Sequence, residues 1–337
     1  MPLRDRTGRY RARVSEAEVL LPEHGSRIAR QPLAGALYVV GAAALFAVNG
    51  AVSKQVLDTG LPAQRLAEIR AAGAMVTLFG LVLATGARRL RLHRREVLRL
   101  AAYGVIGFAL VQWLYFVSID RLPVGIGLLF EFTAPVLVLL WERLGRRRPV
   151  AARAWLSVAL AFGGLALVAE VGRGGTLDGL GVVAGLSAAV GLALYYVVGE
   201  TSAAERDALS LTFYAFVAAT LFWSVVRPWW TYPFDLLGHQ VRAQVGVGQV
   251  DLPLWVLVGY VVLLGSVVPF VLVVRGLAHL PATRVGVLGM LEPPLAALVA
   301  WWWLGQSLRP VQLVGGAVVL TGIFVAQTTR REPASRD

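Results

Sequence analysis

Three ionisable residues lie inside long apolar stretches, where ionisable side chains are uncommon. Glu131 interrupts GLLFEFTAPVLVLLW (127–141), Glu292 lies in VLGMLEPPLAAL (287–298), and Arg70 lies in LAEIRAAGAM (66–75). In hydrocarbon, such a charge costs about 2.5–3.5 kcal/mol unless it is paired or lines a wet cavity. A buried carboxylate can bind a proton or a cation, and a buried guanidinium can pair with a carboxylate.

Two interpretations of the glutamates stay open at this point. In the first, Glu131 and Glu292 form a substrate or proton site, in which a carboxylate takes up a proton or binds an ammonium group. In the second, each glutamate is structural, bonded to an arginine or to a neighbouring helix. We expect Arg70 and Glu131 to lie at similar depths and to face a common cavity, where they could form an ion pair. The alternatives for Arg70 are a pair with Glu68 or a side chain that extends to the interface.

Prolines follow both glutamates closely. Pro135 comes four residues after Glu131, and Pro293 and Pro294 directly follow Glu292. Proline removes a backbone hydrogen bond and leaves carbonyl groups free for water or substrate. The sequence therefore predicts helix breaks beside both carboxylates.

Polar and aromatic residues elsewhere in the apolar stretches could line the same cavity. Aromatic walls with few polar groups suit small amphipathic metabolites. Ordinary helix packing is the alternative for each of these residues, which are Asn49, Gln112, Trp113, Tyr115, Tyr195 and Tyr214.

The composition indicates a membrane protein with many spans. Of the 337 residues, 57% are hydrophobic and only 15% are charged, and the mean hydropathy is +0.66. Soluble domains carry nearer a quarter charged residues. Cysteine is absent, the four histidines lie in tails, loops or helix ends, and no nucleotide-binding or hydrolytic motif is present. We expect no metal site, cofactor or catalytic cluster, and hence no enzyme.

Ten hydrophobic runs are long enough to cross a bilayer as helices. If the N-terminus lies inside, all but eight of the 32 lysine and arginine residues lie inside as well, which is the positive-inside pattern. This pattern explains the net charge of +12 without a nucleic-acid partner. We predict a cell (inner) membrane protein with both termini in the cytoplasm and spans at 34–53, 63–85, 98–118, 122–142, 154–171, 179–199, 208–227, 253–275, 282–304 and 309–328.

The two halves of the chain repeat each other. When the first half is shifted by 158 residues, Leu122-Pro123 falls on Leu280-Pro281 and Pro135 falls on Pro293. Five spans per half make the halves antiparallel, an architecture typical of transporters, with the site where the halves meet. The predicted fold is an all-α polytopic protein with two inverted five-helix repeats, 34–171 and 179–328, between cytosolic tails at 1–33 and 329–337.

The repeat stretches also resemble a known family. LPATRVGVLGMLEPPLAALVAWWWLGQSL (280–308) and LYFVSIDRLPVGIGLLFEFTAPVLVLLWERLGRRRPV (114–150) are similar to stretches of EamA-domain members of the drug/metabolite transporter superfamily. The similarity is strongest to the branch that exports threonine and homoserine. It implies a secondary exporter of amino acids or related metabolites that works by alternating access. The sequence departs from the family pattern at Gln306, where a glutamate is usual.

Two other classes of function are alternatives to this one. A transporter of drugs, polyamines or other metabolites is the first alternative. A membrane-embedded enzyme or a scaffold is the second, but it would need a catalytic cluster or large soluble loops, and the longest loop has about 25 residues. The expected partners are a small-molecule substrate and the lipid bilayer. A monomer could hold both halves of the site, so a homodimer is not required.

Overall fold

The predicted polytopic helical fold is confirmed in the computed structural model, which describes residues 31–170, 177–245, 248–304 and 309–328. Residues 1–30 and 329–337 of the predicted tails, and Gln306, lie outside these ranges. Residues 32 and 33, which the sequence assigns to the tail, belong to the first helix. In the described part of the chain, eight helices have the length and hydrophobicity to cross a membrane, and two shorter apolar helices, Ala152–Val168 and Pro310–Ala326, complete a set of ten spans.

Six of the ten spans, including the two short ones, are uninterrupted helices. Span 6 begins at an aspartate cap, since the Asp178 side chain accepts a hydrogen bond from the Gly181 N–H at 2.8 Å, and Asp207 caps span 7 in the same way. Span 6 also continues beyond residue 199, where the sequence predicted a loop. The uninterrupted helices are span 1 (Pro32–Leu57), span 2 (Ala63–Thr85), span 5 (Ala152–Val168), span 6 (Gly179–Glu205), span 7 (Ala208–Val226) and span 10 (Pro310–Thr328).

The other four spans are interrupted. Spans 3 and 8 each contain a π-helical turn, and spans 4 and 9 are each broken in the middle. Span 3 consists of Arg94–Gly104, the π-turn Val105–Leu110 and Val111–Arg121; span 4 of Val124–Glu131, Ala134–Leu140 and a terminal π-turn, Trp141–Gly145; span 8 of Leu254–Val262, the π-turn Leu263–Val267 and Val268–His279; and span 9 of Ala282–Gly289 and Glu292–Leu304.

The interruptions follow the repeat. The π-turn that starts at Val105 in span 3 has its counterpart at Leu263 in span 8, 158 residues later. Leu122 and Leu280 end these spans in the same extended conformation, which a following proline favours. The two halves therefore share local backbone geometry as well as sequence.

Spans 5 and 10 are the last helices of the two repeats, and they pack against each other along their lengths. A Cβ atom added to Gly164 would lie 2.6 Å from the Gly315 carbonyl oxygen, and one added to Gly322 would lie 2.7 Å from the Ser157 carbonyl oxygen. Because the partners Ser157 and Gly315 are also 158 residues apart, both contacts obey the same repeat. Glycine allows the two helix backbones to touch, as is common between membrane helices.

One connection differs from its prediction. The sequence treats residues 228–252 as a loop, whereas the structure contains two short 3₁₀ helices, Trp229–Thr231 and Phe234–Gly238, and a hairpin of β1 (Gln240–Val245) and β2 (Gly248–Pro253). The side chain of Arg65 in span 2 donates to the Thr231 carbonyl at 3.0 Å and holds this connection on the helices. We call this side of the protein the hairpin face. The opposite side, with the connections at 86–93, which contains the 3₁₀ helix Ala87–Leu90, and at 146–151, is the arginine-rich face.

The contact between spans 5 and 10 predicts the effect of a methyl group. Gly164→Ala should lower the melting temperature of the purified protein, because the new Cβ meets backbone that cannot rotate away; overpacking of this kind costs about 1–3 kcal/mol. Gly163→Ala is the matched control, since nothing lies within 4 Å of its added Cβ. That variant should keep or raise the melting temperature, as alanine is the better helix former. Equal melting temperatures for the two variants would contradict the packing described above.

Candidate functional site

A cavity of about 60 Å³ lies where the two repeats meet. A water molecule needs roughly 10–15 Å³ by this measure, so the cavity has room for a handful of waters. Its walls come from spans 1, 3, 4, 6, 8 and 9. The polar residues that line it are Asn49, Gln112, Tyr115, Glu131, Tyr195, Tyr196 and Glu292.

Each repeat contributes one carboxylate at a helix break. Glu131 is the last residue of the first half of span 4, and Glu292 is the first residue of the second half of span 9. Glu292 therefore lies at a helix N-terminus, whose dipole favours a negative charge. The breaks themselves, at 132–133 and 290–291, come just before Pro135 and Pro293–Pro294, as the sequence predicts.

Arg70 lies directly behind the cavity wall. Its guanidinium donates to the Ser266 hydroxyl at 2.5 Å, to the Gly265 carbonyl at 2.6 Å and to the Gln112 side-chain oxygen at 2.5 Å. It also lies over the rings of Phe116 and Phe270, 5.5 and 5.6 Å from their centroids. Of these partners, Gln112 and Phe270 line the cavity, but Arg70 does not.

The hydrogen bonds of Arg70 connect both repeats. Gly265 and Ser266 belong to the π-turn of span 8, while Gln112 follows the π-turn of span 3. The Ser266 hydroxyl also donates to the Val261 carbonyl at 2.7 Å, inside its own helix. Arg70 thus stabilises an irregular piece of one repeat from a helix of the other.

The possible ion pair of Arg70 with Glu131 is absent among the ion pairs of the described residues. Arg70 bonds instead to neutral acceptors, which lie closer to its guanidinium. The alternative pair with Glu68 is also absent, because Glu68 pairs with Arg65 at 2.7 Å. Arg70 is 2% exposed, which rules out a side chain that extends to the membrane interface.

Two aromatic candidates lie away from the cavity. Tyr214 donates to the Leu90 carbonyl at 2.6 Å and stacks under the guanidinium of Arg206, at the arginine-rich face. Trp113 packs edge-on against Trp223, on the side of span 3 that faces span 7. Their positions in the spans predict that both residues could line the cavity, but both side chains point to other helices, in agreement with the packing alternative.

The other candidates line the cavity, with different neighbours. Asn49 packs on the π-turn of span 8, where an added Cβ at Gly265 would overlap its side-chain oxygen. Tyr195 packs on Gly107, the equivalent glycine of span 3, and stacks on Tyr103 at 5.4 Å between ring centroids. The hydroxyl of Tyr115 is buried and has no hydrogen-bond partner in the protein.

Several residues of the site were missed from the sequence. Gly265 and Ser266, which bind Arg70, look like ordinary small residues in an apolar span. Gly107 and Gly265 are 158 residues apart, so the repeat could have marked them as a matched pair. The aromatic wall residues Phe46, Phe132 and Phe270 carried no signal that distinguishes them from residues that face lipid.

A ten-span protein with two inverted repeats and a polar cavity between them has the architecture of a transporter. Comparison with known proteins agrees with this class. The model of the EamA-like transporter family matches residues 33–169 and 179–328, one copy in each half. The chain belongs to this family and is a multi-pass membrane protein.

Two of the similar proteins are named as exporters. The chain is 29% identical over 246 residues to the threonine/homoserine exporter RhtA of Escherichia coli (strain K12), covering 72% of this chain and 76% of the relative. It is 27% identical over 289 residues to a probable terminal-alkyne amino-acid exporter of Streptantibioticus cattleyicolor, covering 85% and 92%. A solved crystal structure shares the fold with a TM-score of 0.67 and 17% identity, over 88% of this chain and 97% of the other.

The bonding of Arg70 predicts that lysine cannot replace it. Arg70→Lys offers a single ammonium in place of a planar fork that reaches three acceptors on two spans. Loss of a hydrogen bond to a charged group costs about 1.5–3 kcal/mol, so the variant should melt at a clearly lower temperature. Arg275→Lys, on the exposed side of span 8, is the control and should melt like the wild type. If Arg70→Lys had the stability of the wild type, the role assigned to these three hydrogen bonds would be wrong.

Proposed function

We propose that the chain is a secondary transporter of the cytoplasmic (inner) membrane that exports amino acids, threonine- or homoserine-like, or related small metabolites. The observation that carries this proposal is the cavity between the repeats, into which each repeat places one carboxylate at a helix break. The names of the exporters to which the chain is similar support the same substrate class.

Transport would proceed by alternating access, in which one repeat rocks against the other around the cavity. The broken spans 4 and 9 and the π-turns of spans 3 and 8 support this mechanism, because they are the places where the helices of the cavity wall are least regular. Breaks and π-turns bend with less loss of backbone hydrogen bonding than intact helix.

The positive-inside pattern supports an orientation with both termini in the cytoplasm. The arginine-rich face would then meet the cytoplasm and the hairpin face the outside. In this arrangement the repeats are 34–171 and 179–328, with cytosolic tails at 1–33 and 329–337. The cavity is lined by residues of a single chain, so a monomer would be sufficient for transport.

Glu131 and Glu292 would bind the cargo or carry a coupled proton. Two carboxylates in one small cavity repel each other when both are ionised, which favours the uptake of a cation or a proton between them. Arg70 would act as a positioning residue that holds Gln112 and the π-turn of span 8, since its guanidinium lies behind the wall.

An exporter of drugs or other hydrophobic metabolites is the second candidate function. The aromatic rings of Phe46, Phe132 and Phe270 on the cavity wall favour it, because such walls accept apolar cargo of varied shape. A membrane enzyme or scaffold has less support, since the family to which the chain belongs is one of transporters.

Efflux of labelled threonine and homoserine from cells that express the protein tests the proposal. Wild type should accelerate efflux, and Glu131→Gln should reduce the rate at least tenfold, the equivalent of about 1.4 kcal/mol for a lost ionic contact. Asp251→Asn, which removes an exposed carboxylate on the hairpin, should transport like the wild type. Arg70→Ala should also fail, although its loss of stability must be measured in parallel.

The outcomes separate the parts of the proposal. Without efflux of any amino acid by the wild type, the amino-acid substrate class would be wrong, and the drug exporter would take its place. Normal efflux by Glu131→Gln would remove this carboxylate from the mechanism. A pH step across proteoliposomes should change the efflux rate of the wild type if a proton is the coupling ion.

A further inference from the structure

The charged groups at the cavity do not balance. Glu131 and Glu292 line the cavity, and Arg70 lies directly behind its wall, bonded to the lining residue Gln112. When all three are ionised, two carboxylates and one guanidinium leave a single negative charge. Buried charge is tolerated in a membrane protein mainly when it is balanced, so this group is most stable with one added positive charge. A proton can supply that charge in the empty cavity, and the ammonium group of a cargo can supply it in its place.

The positive charge of Arg70 is already engaged by the protein. Its guanidinium donates to Ser266, Gly265 and Gln112 and is enclosed by the rings of Phe116 and Phe270. In the part of the chain that the structure describes, no lysine, arginine or histidine lines the cavity. A cargo carboxylate would therefore enter a cavity with two carboxylates and no accessible cation, whereas an ammonium group would meet two carboxylates.

The hydroxyl of Tyr115 offers a neutral contact next to these carboxylates. Tyr115 is 5% exposed and lines the cavity, and its hydroxyl has no partner in the protein. It lines the same cavity as Glu131 and Glu292. A phenol both donates and accepts, so Tyr115 can donate to a carbonyl or hydroxyl oxygen of the cargo. An unpartnered polar group of this kind strongly favours a ligand that pairs with it.

We propose that the cavity selects cargo with one net positive charge: a protonated primary amine next to a neutral oxygen, as in amides or esters of amino acids. The ammonium would lie between Glu131 and Glu292, and the neutral oxygen would accept from Tyr115. Zwitterionic amino acids bind more weakly in this site, because their carboxylate has no cation to pair with. The inference deepens the proposed function and rests on the cavity as its cargo site.

Binding of three related compounds to the purified full-length protein tests this selection without the need for transport. Threonine amide, threonine and N-acetylthreonine carry net charges of about +1, 0 and −1 at about pH 6, below the usual α-amino pKa of about 7.7–8.0. Calorimetry should show that the wild type binds the amide at least tenfold more tightly than threonine. N-acetylthreonine should show no binding.

Variants of the two carboxylates distinguish charge selection from a merely structural role, because only charge selection changes the ratio of amide to threonine affinity. Glu131→Gln and Glu292→Gln each remove the excess negative charge, so the ratio of amide to threonine affinity should fall towards one. Loss of stability alone would weaken both compounds equally and leave the ratio unchanged. Tyr115→Phe should weaken both compounds about tenfold and keep the ratio, and Tyr214→Phe, away from the cavity, is its matched control.

Three results would overturn the inference, and they differ in what else they affect. Threonine that binds as tightly as its amide would refute the charge selection but leave an amino-acid exporter intact. If Glu131→Gln and Glu292→Gln both kept the wild-type ratio of amide to threonine affinity, the preference for the amide would not come from these carboxylates. Binding of none of the three compounds would refute the amino-acid cargo class together with this inference.

Discussion

The structure depends on one constraint: polar groups inside the bilayer must find their partners within the protein. Arg70 shows how this constraint is met. Its guanidinium has no room to reach water, so it takes a carbonyl, a hydroxyl and an amide oxygen from two other spans. The π-turn of span 8 presents the first two of these acceptors. Thus the irregular backbone and the buried charge stabilise each other, and neither would be stable alone in hydrocarbon.

The repeat gives the protein a symmetric frame and an asymmetric site. The π-turns, the Leu-Pro connections and the glycine contacts of spans 5 and 10 occur at matched positions. The ionisable groups do not, since Glu131 corresponds to Gly289 and Glu292 to Ala134. Because the halves run in opposite directions, their two carboxylates still reach one cavity. Backbone geometry is thus shared between the repeats, while the chemistry is divided between them.

The sequence predicted the parts of this arrangement that leave a strong local signal. Hydrophobic length predicts the spans, and a charge in an apolar run marks Glu131, Glu292 and Arg70. The sequence could not predict the partners of Arg70. A π-turn changes which side chains share a face of the helix, and no characteristic residue marks the turn in the sequence. Tyr214 was misplaced for a related reason: hydropathy gives the depth of a residue in a span but not the direction of its side chain when every face is apolar. The same limit of hydropathy applies to Trp113, which the sequence offers as a cavity residue but which packs on Trp223.

The size of the cavity has a consequence for the motion of the spans. About 60 Å³ holds a handful of waters, less than an amino acid with its contacts requires. For the proposed function, cargo could enter only if the wall moves, and the wall contains the breaks of spans 4 and 9 beside Glu131 and Glu292. A cation bound between the two carboxylates would attract both break points at once, whereas an empty site leaves them to repel each other. Under the proposed function, occupancy of the cavity would be linked to the distance between the broken spans, because the two carboxylates proposed to bind cargo lie where the helices can bend.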